Sequence, residues 1–189
     1  WLLVEMRGAG LRPELISYSS AASACEKGHE WERAVGLLAE MQCGAMQPST
    51  VAYNSTLSAC EKGHEWALAV GLLAQGLAGG LRPSVVTLST AIGAWSRGRH
   101  WAQAMSQLGV MRAQLMRPDL VAFSSAVSAC ERGHQWALAL ALLAELPLRS
   151  FRPDVSVYNA SISACEKAQQ WQRALSLFAE MRLGGHLPN

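Results

Sequence analysis

One eight-residue motif recurs along the chain at a fixed interval. It reads ACEKGHEW from Ala24 and again from Ala59, ACERGHQW from Ala129 and ACEKAQQW from Ala164, with a divergent copy, AWSRGRHW, at Ala94. The closing tryptophans, each 35 residues after the last, are Trp31, Trp66, Trp101, Trp136 and Trp171. The prolines with the same step are Pro13, Pro48, Pro83, Pro118, Pro153 and Pro188. A constant period of this length is the sequence signature of a solenoid protein.

The period sets the expected domain organisation. It divides the chain into the second half of a truncated repeat, 1–14, and five full repeats, which are 15–49, 50–84, 85–119, 120–154 and 155–189. We expect one continuous solenoid domain. Since Trp1 falls in the middle of a repeat, we also expect the chain to be a piece of a longer array.

Each repeat reads as two helices. In the second repeat, 51–63 has apolar residues at three- and four-residue spacing, and 65–75 carries Trp66, Ala69, Val70, Leu72 and Leu73 on a stripe of helical period. One such hairpin cannot bury its own stripe, so neighbouring hairpins must stack. The predicted fold is all-α: an α-solenoid, forming a right-handed superhelix of stacked helix-turn-helix repeats.

Composition excludes several classes of protein. Half of the residues are hydrophobic and only 16% are charged, which fits an ordered helical chain. No apolar run approaches the roughly 18 residues that span a bilayer, so no membrane partner is expected. The net charge of +2 is too small to indicate a nucleic-acid partner by itself.

The recurring cysteines and histidines have a structural interpretation. Cys25, Cys60, Cys130 and Cys165 share one repeat position, which Trp95 occupies in the third repeat, so the position requires an apolar filler. The spacing of metal-binding cysteines is absent, and Cys43 is interpreted as an ordinary free thiol. The histidines at the turns, such as His29 and His64, are read as surface residues. No catalytic set stands out, so the sequence predicts neither an enzyme, a metal site nor a cofactor.

The repeats resemble the pentatricopeptide repeat along essentially the whole chain. The matching features are Tyr53-Asn54 and Tyr158-Asn159, the basic residue that closes the first helix, the run ALSLFAEM from Ala174, and the final Gly-x-x-Pro followed by Asn189. The resemblance implies binding of single-stranded RNA at about one base per repeat. It also implies a role in organellar RNA processing, editing, stability or translation, and location in a mitochondrion or chloroplast.

The resemblance assigns roles to fixed repeat positions. The base-selecting residues are the fifth and the last of each repeat: Ser19 with Ser49, Asn54 with Ser84, Ser89 with Asp119, Ser124 with Asp154, and Asn159 with Asn189. The second residue stacks on the base, and these are Ile16, Val51, Val86 and Val121; Ser156 departs from the pattern. The thirteenth residue is basic in every repeat and offers charge to phosphates: Lys27, Lys62, Arg97, Arg132 and Lys167. The family's pairing rule then gives the target 5′-N-C-G-G-Y-3′.

Each assignment has a structural alternative. Ser, Asp and Asn after a proline are good helix N-caps, and Lys or Arg near a helix C-terminus favours the helix dipole. The main functional alternative is a protein-binding solenoid similar to tetratricopeptide arrays, and self-association through uncapped ends is also open. An apolar inner row would favour a protein partner, whereas the observed Ser and Asn favour RNA.

Overall fold

The computed structural model describes residues 5, 6, 8, 10 and 12–183, and between residues 12 and 183 it is entirely helical apart from turns and short extended links. The helices are α1 Leu15–Lys27, α2 Trp31–Cys43, α3 Thr50–Lys62, α4 Trp66–Ala78, α5 Val85–Arg97, α6 Trp101–Ala113, α7 Leu120–Arg132, α8 Trp136–Leu148, α9 Val155–Lys167 and α10 Trp171–Leu183. Each has 13 residues. The first helices begin 35 residues apart, as the sequence period requires. The chain is an all-α solenoid of helical hairpins, as predicted.

The residues that follow Pro48, Pro118 and Pro153 lie immediately before the first helix of the next repeat and act as its N-cap. Ser49 has extended backbone, and its Oγ accepts a hydrogen bond from the Ala52 amide at 3.1 Å. Asp119 and Asp154 cap α7 and α9 in the same way, at 2.8 and 2.9 Å. Such a side chain satisfies one of the backbone amides that have no partner inside the helix, so the capping role inferred from sequence is real.

The turn between the two helices of a hairpin uses a left-handed residue that is not glycine. The residues in this conformation are His29, His64, Arg99, His134 and Gln169, with φ between 56° and 65°. All five are exposed, as the sequence predicted for the histidines. The preceding Gly63, by contrast, has an ordinary φ of −76°.

Gly63 is explained by a close contact instead. A Cβ added at this residue would lie 2.5 Å from Cδ1 of Trp31, and a Cβ at Gly133 would overlap the ring of Trp101. Real Cβ atoms essentially never lie so close to another heavy atom. Each of these glycines therefore lets the tryptophan of one repeat lie against the turn of the next, which links two residues of the octapeptide in packing.

Contacts divide the chain into two compact units, 1–94 and 95–189. In the first, α1 packs on α2 and on α3, and α3 packs on α2 and α4. Its core includes Tyr18, Leu38, Met41, Tyr53 and Leu57. First helices thus pack on one another directly, while each second helix fills the space behind them.

The second unit repeats this arrangement. Here α7 packs on α6, α8 and α9, and α9 packs on α8 and α10. Phe123, Met111, Leu146 and Val127 are fully buried in it. None of the helices described between residues 12 and 183 combines the length and the apolar character that crossing a membrane requires.

Candidate nucleic-acid interface

Four positions of each repeat share one side of its first helix. They are the second, fifth, ninth and thirteenth residues, and steps of three and four residues return to the same face of an α-helix. In the second repeat this first-helix stripe consists of Val51, Asn54, Ser58 and Lys62, all on α3. The apolar, base-selecting and basic residues predicted from the sequence therefore lie along a single line on each helix.

The second residue of the stripe is apolar and open to solvent in four repeats. Ile16 is 75% exposed, Val51 and Val86 are each 57% exposed, and Val121 is 60% exposed. Single exposed aliphatic side chains are common on proteins, but their recurrence at one repeat position is a pattern. In the fifth repeat Ser156 is exposed at the same place. These side chains do not contribute to the core and are available to lie against a flat ligand.

The fifth and last residues of a repeat meet in the first compact unit. The hydroxyl oxygens of Ser19 and Ser49 are 2.9 Å apart, and Asn54 Nδ2 donates to Ser84 Oγ at 3.4 Å. In each of the first two repeats, the two predicted base-selecting residues are thus hydrogen-bonded to each other beside the stripe. Ser89, at the same position of the third repeat, is buried, and its hydroxyl donates to the Val85 carbonyl at 2.8 Å.

In the second unit the same positions are more open. Ser124 is half-buried, and both Asp154 and Asn159 are exposed. Asn189, the predicted partner of Asn159, lies outside the described residues. Capping uses Oδ1 of Asp154 and does not involve its Oδ2, so one side chain has the atoms for both capping and base recognition.

Clefts open between successive first helices. In the first unit a cleft of about 550 Å³ is lined by Ile16 and Val51, by Ser19 and Ser49, and by Lys27. One cleft therefore brings together two stacking candidates, one base-selecting pair and one basic residue. In the second unit a cleft of about 610 Å³ lies along Ser128, Ser156, Asn159 and Ser163.

Two of the basic residues are held in a polar cluster. Lys62 Nζ lies 3.0 Å from Glu26 Oε1, which also accepts a hydrogen bond from Ser58 Oγ at 2.8 Å. Glu131, Ser163 and Lys167 repeat the cluster in the second unit, with a Lys–Glu distance of 2.7 Å. These ion pairs reduce the positive charge that the stripe offers to phosphates.

The first cluster shifts the titration of its acid. Burial acts to raise the pKa of Glu26, but the hydrogen bonds from Lys62 and Ser58 together with the Lys62 charge outweigh it, and the pKa lies below its usual value. Glu26 is therefore ionised at neutral pH. Sequence reasoning missed the cluster, although the recurrence of Ser at the ninth position and Glu at the twelfth was a usable signal.

Three of the four cysteines that share one repeat position lie in the core. Cys60, Cys130 and Cys165 are fully buried, and burial raises the pKa of Cys60 and of Cys130 to about 11. All five cysteines are free thiols, and Cys43 is exposed. Within the residues that the structure describes, no group of three or more metal-ligating side chains comes together.

The helical hairpins and the first-helix stripe define a class of repeat protein in which polar side chains line the clefts between successive first helices. Residues 1–62 match the pentatricopeptide repeat domain, and residues 156–186 match the PPR repeat. Two segments of the chain thus match pentatricopeptide repeat models, which supports the family resemblance seen in the sequence. No curated protein sequence matches it.

Solved structures of that family have the same fold. The maize pentatricopeptide repeat protein PPR10 aligns with 26% identity and a TM-score of 0.65, over 100% of this chain and 27% of PPR10. PPR10 in complex with an 18-nt psaJ RNA element aligns with 24% identity and a TM-score of 0.68, over 95% of this chain and 30% of PPR10. The PPR domain of Arabidopsis thaliana protein-only RNase P 1, in complex with tRNA, aligns with 15% identity and a TM-score of 0.77, each chain being covered to 90%. This chain thus spans under a third of the length of PPR10.

Proposed function

We propose that this chain binds single-stranded RNA along the first-helix stripe, one base per repeat, without catalysing a reaction. The observation that carries the proposal is the cleft lined by Ile16, Val51, Ser19, Ser49 and Lys27. A base that enters it meets aliphatic surface from two successive repeats and a pair of hydroxyl groups at its edge. Single-strand recognition uses this combination of stacking surface, edge contacts and positive charge.

Related proteins support the proposal. PPR10 and the PPR domain of protein-only RNase P 1 have been crystallised with RNA, and they have the same fold as this chain. The target 5′-N-C-G-G-Y-3′ and a role in processing organellar transcripts belong to the proposal and rest on the family resemblance. Because Lys62 and Lys167 are paired with glutamates, we expect few released counterions and a shallow dependence of affinity on salt.

Fluorescence anisotropy tests this function directly. The chain is titrated into a labelled RNA containing CGGU, a scrambled RNA and the DNA equivalent. We expect the CGGU RNA to bind most tightly. Val51→Asp should weaken binding by about fivefold or more, because it removes apolar contact with a base, worth roughly 1 kcal/mol, and adds a negative charge near the phosphates. A matched control is Leu148→Asp, since Leu148 is 86% exposed and lies on a second helix.

Asp154 separates base selection from capping. Asp154→Asn keeps a good N-cap, so the urea midpoint should change little while the preference for guanine at the fourth repeat falls. Asp154→Ala removes the cap and should lower stability by about 1 kcal/mol.

If a folded chain binds none of the three nucleic acids, the RNA proposal is wrong and a protein partner replaces it. Equal effects of Val51→Asp and Leu148→Asp would refute the placement of the interface.

A further inference from the structure

The second repeat contains a closed hydrogen-bond network around its base-selecting asparagine. Thr87 Oγ1 donates to Asn54 Oδ1 at 2.7 Å, and Asn54 Nδ2 donates to Ser84 Oγ at 3.4 Å. The hydroxyls of Ser84 and Thr87 are 3.0 Å apart. All three side chains lie in the first compact unit, at the start of α5 and on the neighbouring α3.

The arrangement has a consistent assignment of hydrogens. Thr87 has one hydroxyl hydrogen, and the 2.7 Å separation from Asn54 Oδ1 is the usual length of an O–H···O bond. Ser84 then donates its own hydroxyl hydrogen to Thr87 Oγ1, which also accepts from the Ser84 amide at 3.1 Å. Ser84 Oγ in turn accepts from the Thr87 amide at 3.2 Å. The two hydroxyls, the two backbone amides and one hydrogen of Asn54 Nδ2 then each have an acceptor, and Thr87 itself is fully buried.

Thr87 is not explained by the repeat pattern. It is the third residue of its repeat, and the third residues of the other repeats are Ser17, Ala52, Ala122 and Val157. Ala52, Ala122 and Val157, which follow the base-selecting pairs of the first, third and fourth repeats along the chain, have no hydroxyl group. Among the first four repeats, a hydroxyl at this position therefore follows only the pair of the second repeat.

We propose that Thr87 is a positioning residue that fixes the amide orientation of Asn54 and thereby sets the preference for cytosine over uracil at the base read by the second repeat. This inference rests on the proposed RNA-binding function. An asparagine amide has a donor end and an acceptor end of nearly the same shape. Ring atom N3 is an acceptor in cytosine and carries a hydrogen in uracil, so an amide that can turn over satisfies either base at this atom. An amide whose oxygen is held by Thr87 presents the second hydrogen of Nδ2 instead, which the N3 acceptor of cytosine satisfies and the N3 donor of uracil does not.

The test compares two RNAs that differ only in cytosine or uracil at the base assigned to the second repeat. The measured quantity is the ratio of the two dissociation constants, obtained by fluorescence anisotropy. Thr87→Val should lower this ratio by about three- to tenfold, which corresponds to one net hydrogen bond. Thr87→Ser keeps the hydroxyl and should retain the wild-type ratio. The fold accepts valine and alanine here, as Val157 and Ala52 show, and Thr87→Ala is the second variant if Thr87→Val does not fold.

Thr56→Val is the matched control. Thr56 is also fully buried, but its hydroxyl donates to the Ala52 carbonyl at 2.8 Å and does not reach Asn54. If Thr87 had only a structural role, Thr87→Val would lower the urea midpoint as Thr56→Val does and leave the ratio of the two dissociation constants unchanged. That result would overturn the inference. A wild-type chain that binds both RNAs equally would also overturn it while leaving RNA binding intact. A chain that binds neither RNA refutes the proposed function itself.

Discussion

Gly63→Ala is the substitution for which the structure gives the clearest expected cost. The added methyl group would lie 2.5 Å from Cδ1 and 3.0 Å from Cγ of Trp31, and 3.3 Å from the Ala59 carbonyl oxygen. The tryptophan must therefore move away from the turn. Forcing a carbon atom into a packed contact of this kind typically costs roughly 1–3 kcal/mol.

An opposing effect reduces this cost. Gly63 has φ −76°, which alanine adopts without strain, so the substitution stabilises by about 0.4–1 kcal/mol through the unfolded state. The last repeat carries Ala168 at the equivalent position, which indicates that a shifted ring can accommodate a methyl group and places the cost in the lower part of the range. We expect a net loss of about 1 kcal/mol in the free energy of unfolding.

Urea denaturation followed by circular dichroism measures the change. With a slope near 2 kcal/mol per molar, a loss of this size lowers the midpoint by about 0.5 M. Gly36→Ala is the control, since Gly36 is exposed inside α2 and a Cβ there meets nothing within 4 Å. It should raise stability by roughly 0.5–1 kcal/mol. In a Trp31→Leu background the cost of Gly63→Ala should disappear. A Gly63→Ala midpoint that rises like that of Gly36→Ala would refute the packing explanation.

Two further predictions concern titration. Because the folded pKa of Glu26 lies below its ordinary value, the Glu26–Lys62 pair stabilises the fold above that value and loses its effect as the pH falls through the folded pKa. Wild type should therefore exceed Glu26→Gln in urea midpoint at neutral pH, the difference shrinking as the pH falls through the folded pKa of Glu26, and a constant difference would contradict the ion pair. For the cysteines, timed alkylation with mass spectrometry at neutral pH should modify exposed Cys43 quickly and Cys60 only on unfolding, because burial raises the pKa of Cys60 to about 11. Equal rates at the two thiols would show that Cys60 is not held in the core.

The hairpin architecture was predictable because it depends on periodicity. The period placed the first helix of the second repeat at 51–63, and the structure has Thr50–Lys62, a shift of one residue. The second helix was predicted over 65–75 and runs over Trp66–Ala78, through Gly76. Tyr53 and Leu81 occupy the space beside Gly76, since a Cβ added there would lie 3.0 Å from an atom of each. This packing keeps the helix intact at a residue of low helix propensity, and propensity alone cannot predict it.

The candidate site was predictable only where one residue type recurs at one position. Val51 and its equivalents recur at one position and are exposed in four repeats, whereas the contact of Thr87 with Asn54 is seen once among the described residues and joins residues 33 positions apart. A pattern that averages over repeats treats Thr87 as a deviation to be ignored.

This difference between recurring and single residues also has a physical meaning for function. Residues shared by all repeats, such as the tryptophan of each hairpin, stabilise the stack in the same way at every step and cannot make one repeat read a different base from another. Discrimination between repeats must come from residues that vary at equivalent positions. Asn54 and Thr87 vary in this way and touch each other, so the second repeat is where a change in a neighbouring residue should alter base preference most.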